Sequence, residues 1–317
     1  MKTAFIYKNK CHPVTQTFAN SIEADSYKIT GPLNAIKTAL TIPSYNYYFI
    51  ESAMSMLVPI TKRIIGKKCK IIYRGNDGLF GEKTTAYLKT KNQIKCAFLK
   101  YLIKHMDAVS VESEKQISEV KQYTSVPVIV CESYINNKSQ LEKIKPNLKT
   151  NNFLFIGEYR PPYDHKNIKF LIKLFNNLPD LNLTIIGKNT KQLKENSNIT
   201  ILDYVPSTEE YFKKSTFYIH LPKYEAGPIT LLEAITAGLI PITNKNAGHY
   251  NVIEKVNKKL IIKKAPIIEI IEITKISLKE RRKLSETFKK IGKNHYSKEE
   301  ITSKFRETWK IMTREQK

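Results

Sequence analysis

An α/β protein of two doubly wound, Rossmann-like domains is what this chain of 317 residues predicts, on three observations. Short β-rich apolar runs alternate with longer helical patterns from end to end, as parallel sheets require. The pattern stops at a polar segment, NNKSQLEKIKPNLKTNN (136–152), which reads as a linker, and then restarts. Two runs after the restart, FLFIG (153–157) and LTIIG (183–187), end in glycine at the strand ends where open α/β sheets place ligands.

In chain order, the first half offers TAFIY (3–7), YYFIE (47–51), KIIY (70–73), AVSVES (108–113) and PVIVCE (127–132) as strands. A long helical pattern, TTAYLKTKNQIKCAFLKYLIKH, lies between the third and the fourth. The second half offers FLFIG, LTIIG, ITILDYV (199–205), TFYIHL (216–221), LIPIT (239–243) and KLII (259–262). The tail reads as one last helix, with Ile301, Phe305, Trp309 and Ile311 near helical spacing. The expected division is a first domain over 1–140, a second over 150–292 and a final helix over 293–317.

Composition narrows the function classes. The apolar fraction of 41% suits a globular protein, and no run of eighteen apolar residues exists to cross a membrane. The N-terminal apolar stretch of four residues in MKTAFIYKNKCHPV is too short for a signal peptide. Cys11, Cys69, Cys96 and Cys131 are scattered, without C-x-x-C, so neither a zinc site nor a disulfide framework is expected and a cytoplasmic location is. Charge is lopsided, with 53 Lys+Arg against 29 Asp+Glu. It is spread along the chain, with 22 basic and 11 acidic residues up to 146 and 31 and 18 beyond. A Lys-rich composition that keeps the protein soluble accounts for this, with peripheral attachment to an anionic membrane as the second reading. Diffuse charge makes nucleic acid the weaker partner.

One stretch carries chemistry: YEAGPITLLEA (224–234). Its glutamate spacing alone is uninformative, because Glu272/Glu280 and Glu299/Glu307 repeat it in Lys-rich helical surroundings. Context distinguishes it. A strand, TFYIHL, precedes the loop; Pro228 stands at the expected helix start and Gly238 at its stop. The N–H groups of Ile229, Thr230 and Leu231 then form an anion site at a strand's carboxyl end. Leu231, Leu232 and Ile235 form the core face, while Thr230, Glu233, Ala234 and Ala237 form a small-residue face on which Glu233 can meet two adjacent hydroxyls. The competing reading of Glu233 is a solvated helical charge.

FYIHLPKYEAGPITLLEAITAGLIPIT resembles the signature of the GT-B-fold nucleotide-sugar glycosyltransferases, in particular family 4, glycosyltransferase group 1. The likeness is close over 152–253 and architectural over 1–135. It implies that Glu233 binds the donor ribose, that Glu225 sits by the donor sugar as a catalytic residue, and that Gly227, Ile229 and Thr230 receive the diphosphate. Arg160 and Lys166, in IGEYRPPYDHKN, would neutralise the departing diphosphate, although Glu158 stands where the family's arginine usually does. Tyr204 and Val205 would hold the nucleobase through their backbone. The family's Gly-rich loop after the first strand is replaced by YKNKCHPVT, where Lys8, Lys10 or His12 could substitute. Asp77, in RGNDG, is a candidate to orient or deprotonate the acceptor hydroxyl, against a plain turn-forming role. His165, His220 and His249 receive no role.

No D-x-D or acidic cluster suits a metal, so metal-independent transfer is expected, without a cofactor beyond a UDP- or GDP-sugar co-substrate. The resemblance also implies retention of anomeric configuration and a final helix that returns to the first, acceptor-binding domain. The acceptor stays open among glycan, lipid-linked and protein hydroxyls. Competing readings keep the fold but differ in activity: transfer to DNA or another polyanion, non-catalytic sugar-nucleotide binding, or sugar-nucleotide epimerisation.

Overall fold

The computed structural model describes residues 2–75, 101–161 and 164–313. They form two compact units, one of Met1–Tyr134 with Lys298–Lys317 and one of Ile135–Ser297. Asp77 and most of the long helical pattern that follows it lie outside the described residues.

The first unit holds a parallel six-stranded sheet of β1 (Thr3–Lys8), β2 (Asp25–Ile29), β3 (Tyr47–Ile50), β4 (Lys70–Gly75), β5 (Ala108–Val111) and β6 (Val128–Val130). Their spatial order is β2-β1-β3-β4-β5-β6, so the winding reverses at β1 and β3. β2 escapes detection in sequence because it is a polar edge strand of which only Ile29 is fully buried. Helix Lys298–Thr313 packs on helix Pro13–Ser21. Ile301, Phe305 and Trp309 are buried as expected, but Met312 completes the stripe and Ile311 is 61% exposed. Three turns of an ideal helix bring 312, not 311, back under 301. Phe305 stacks on Phe18 at 4.4 Å, and the Tyr47 hydroxyl donates to the carbonyl of Thr313 at 2.9 Å.

The second unit carries a parallel five-stranded sheet of β7 (Asn152–Ile156), β8 (Asn182–Ile186), β9 (Ile199–Leu202), β10 (Phe217–His220) and β11 (Ile240–Thr243). The order is β11-β10-β7-β8-β9. KLII is not a strand: Lys258–Leu260 form a tight turn capped by the Asn257 side chain, and Ile261 makes only an isolated bridge to Thr243. The polar stretch after residue 135 is packed rather than free, with Leu141 and Ile144 buried in this unit's core. Helix Leu278–Asn294 lies against helix Ile229–Ala237, and a Cβ at Gly292 would fall 2.4 Å from the Cα of Thr236. That contact brings the two backbones together on the Thr236 side of the helix, while Ala234 and Ala237 are fully buried as well.

Candidate functional site

Three loops at the carboxyl ends of β7, β10 and β11 converge on Glu225. The first is set by two glycines. A Cβ at Gly187 would stand 2.0 Å from the carbonyl oxygen of Gly157, an approach of β7 and β8 that only glycine permits. The loop then closes on helix Ile168–Asn176 through buried Asp164, whose carboxylate accepts the N–H groups of Ile168 and Lys169, both at 2.8 Å. Asn167 takes a left-handed φ of 64°, tolerable for asparagine and ordinary only for glycine. Its side-chain amide donates to the carbonyl of Leu221 at 3.1 Å, and the N–H of Lys223 donates to the carbonyl of His165 at 2.8 Å. The third loop holds Glu225 by its backbone: its N–H donates to Asn246 at 3.1 Å and its carbonyl accepts from Gly248 at 2.7 Å.

Asp164 therefore positions Lys166 at a distance. Asp164→Ala should lower stability by about 1–2 kcal/mol in urea titrations, with Asp164→Asn intermediate because it keeps one capping oxygen.

Lys166 Nζ donates to Glu225 Oε1 at 2.6 Å. His220 Nε2, fully buried on β10, lies 2.8 Å from Glu225 Oε2 but off the direction of a hydrogen bond, so the contact is electrostatic. Burial opposes ionisation of Glu225, yet Lys166 and His220 outweigh it and hold the carboxyl well below the usual carboxylate range. Glu225 is thus an anion at neutral pH, able to accept hydrogen bonds from hydroxyls but not to donate a proton.

The adjoining helix spans Ile229–Ala237, with Pro228 one residue earlier than expected, at the cap, and Gly238 ending it at φ 84°. The Leu231 N–H turns back to the carbonyl of Pro228 at 3.1 Å, which removes it from the expected anion site and leaves Ile229 and Thr230 in the first turn. Gly227 stands just before the cap, partly buried. The Thr230 hydroxyl accepts from Tyr218 at 2.7 Å and donates to the carbonyl of Ile156 at 3.3 Å, fixing the helix start over β7 and β10.

The small-residue face is not an open groove. Ala234 and Ala237 are fully buried, and only Ile229, Thr230 and Glu233 stay partly exposed on this helix. Glu233 is half-buried, and among the described residues its carboxylate has neither a hydrogen-bond nor an ion-pair partner. Burial alone pushes it up to about 7.

Other expected contributors lie apart. Arg160 is turned outward and binds Glu158, with Nε 2.7 Å from Oε2, so the structure does not bring it to Lys166. Tyr204 is 67% exposed after β9 with Lys188 over its ring at 5.8 Å, and Val205 packs partly on the core. Lys8 and Lys10 are exposed in the first unit, where the N–H of His12 is taken by Glu51 at 3.1 Å. Sequence reasoning left His220 out; its signal was a titratable side chain inside the fully buried strand FYIH. Among the described residues no three His, Cys, Asp or Glu side chains gather to hold a metal, and no helix is long and apolar enough to cross a membrane.

Residues 136–295 match the family described as glycosyl transferases group 1, and the chain belongs to that family; it is a glycosyltransferase. Solved structures match the whole fold. A sucrose-phosphate synthase from Thermosynechococcus elongatus is 12% identical at a TM-score of 0.73, covering 98% of this chain and 99% of that one. An E. coli trehalose-6-phosphate protein bound with UDP-2-fluoro glucose is 10% identical at 0.69, covering 98% and 99%. A trehalose-6-phosphate synthase solved to study glycosyltransfer with retention is 12% identical at 0.62, covering 88% and 77%. The fold is GT-B. No curated protein matches the sequence.

Proposed function

We propose that the chain transfers a sugar from a nucleoside-diphosphate donor to a hydroxyl acceptor, with retention and without a metal. The observation that carries this reading is Glu233, a half-buried carboxylate left without a partner beside a helix start. Four residues separate it from Ile229, about 6 Å along the axis, which matches the span from a diphosphate to the ribose hydroxyls. The diphosphate would meet the N–H groups of Gly227, Ile229 and Thr230, and the ribose would give Glu233 its missing donors.

Lys166 then serves two anions in turn. At rest it holds Glu225, and its three N–H donors allow it to keep that contact while taking a phosphate oxygen. As the bond from the anomeric carbon to the diphosphate breaks, negative charge grows on the leaving oxygen, and a fixed ammonium beside it lowers the barrier. Glu225 would accept hydrogen bonds from the donor sugar and orient it. Arg160 would have to leave Glu158 to join them, and Tyr204 and Val205 would hold the base through their backbone. Asp77 keeps its proposed role at the acceptor. Retention draws support from the family and from the relative studied for it. A UDP donor draws support from the relative that holds a UDP sugar, with GDP as the alternative. Lipid-linked, glycan and protein hydroxyls are the acceptor classes to test.

A thermal-shift panel of UDP, GDP, ADP and their sugars tests the reading. One base series should raise the melting temperature by several degrees, since a ligand at a hundred times its Kd adds about 2.7 kcal/mol. A flat response to every nucleotide would overturn it.

A further inference from the structure

We propose that the first unit docks on an anionic lipid surface through the exposed face of helices Pro32–Thr41 and Leu57–Ile64 and the turn after them. Leu33, Ile36 and Leu40 stand at i, i+3 and i+7 on one helix face and are 83%, 42% and 61% exposed. The same helix turns Ala35 and Ala39 to the core. Its neighbour packs alongside and ends in Ile64 and Ile65, 78% and 46% exposed. Lys62 Nζ donates to the carbonyl of Ile42 at 2.7 Å, tying the two helix ends together. Single exposed leucines are ordinary; here five large apolar side chains are exposed on two packed helices.

Charge identifies the occupant. Residues 23–75 contain eight lysines and arginines and three acids, Glu23, Asp25 and Glu51, of which Asp25 accepts from the Tyr45 hydroxyl at 2.7 Å. Glu51 follows the carboxyl end of β3 and is engaged with the N–H of His12, whereas the two helix ends lie toward the amino ends of the strands. Arg63 is neutralised by Asp107. Exposed Lys28, Lys37, Lys67 and Lys68 have no ion-pair partner among the described residues. A second copy of this chain would bring the same cations face to face and be repelled. An anionic bilayer suits both parts of the surface: the lysines are drawn to the negative headgroups, and the leucines and isoleucines enter the acyl boundary. The exposed isoleucines of the second unit, Ile267, Ile268 and Ile271, lack this polarity because Glu269 and Glu272 stand among them.

The full chain is sedimented with vesicles of phosphatidylcholine, with and without phosphatidylglycerol, at low and high salt. Binding is expected only with phosphatidylglycerol and should fall steeply as salt rises from about 50 to about 500 mM. Lys67→Glu/Lys68→Glu and, separately, Leu33→Ser/Leu40→Ser/Ile64→Ser should each weaken partitioning at least about tenfold with an unchanged melting temperature. Lys258→Glu/Lys259→Glu, in the second unit, should leave it intact. Equal binding to neutral vesicles, equal binding by all variants, or self-association that the serine variant abolishes would overturn the proposal.

Discussion

Replacing Lys166 by alanine is expected to lower turnover of the donor by about 100- to 1,000-fold, the usual loss when one fixed donor to a developing anion is removed. Donor breakdown, followed as release of nucleoside diphosphate, is the readout, because it needs no acceptor. The same change should destabilise the protein. Glu225 would keep only the electrostatic contact with His220, and an anion this enclosed without its cation costs about 2–3 kcal/mol, below the range for full burial because both side chains reach solvent. The sign with pH follows from the depressed carboxyl. Its contribution is complete above the unfolded value of 4.5 and is lost as the pH falls toward the folded value, so the gap between wild type and Lys166→Ala should close in acid. Lys166→Ala/Glu225→Gln should regain most of the stability and none of the turnover. If Lys166→Ala keeps turnover within about threefold, the phosphate role fails and the pair is structural.

How much of this could be read in advance depends on how local each signal is. Buried strands were legible because parallel sheets demand apolar runs, and β7, β8, β10 and β11 begin within a residue of their expected positions. The edge strand β2 was not, since an edge needs no such run, and KLII mimicked one while an asparagine cap turned it away. Lys166 and Glu225 were legible as motif members, but their 2.6 Å contact was not, because a loop after β7 and a loop after β10 meet only in the fold. The helical wheel placed Ala234 and Ala237 beside Glu233 correctly and misjudged their exposure. That side of the helix start faces the sheet, where the Thr230 hydroxyl meets Tyr218 and the carbonyl of Ile156, a packing set by strands far along the chain and silent in any local pattern. Arg160 shows the reverse error: Glu158, noted only as out of place, is the group that holds it.

Glu233→Gln should show opposite effects on stability and binding, and that opposition separates a ligand site from a mere surface glutamate. With its carboxyl raised from 4.5 to about 7, the folded state without donor resists ionising a group that the unfolded chain ionises readily. Stability is therefore undiminished below about pH 4.5, falls as the pH rises, and levels off above 7, where the accumulated cost approaches about 3 kcal/mol less whatever solvent screens. Glutamine removes the charge and keeps the shape. The variant should melt higher than wild type at pH 8 and alongside it at pH 4.5. Donor binding should move the other way, weakening about 10- to 100-fold, because an ionised acceptor bridging two hydroxyls becomes an amide with one acceptor oxygen. Wild-type affinity should also rise as pH passes through 7, while that of the variant stays flat. Calorimetry at pH 6 and 8 with the nucleotide chosen by the thermal-shift panel measures both. An exposed charge of no consequence would leave stability and affinity unchanged, and a purely structural residue would lower both. Only a carboxylate kept unsatisfied for an incoming ligand gives a protein that is more stable and binds worse.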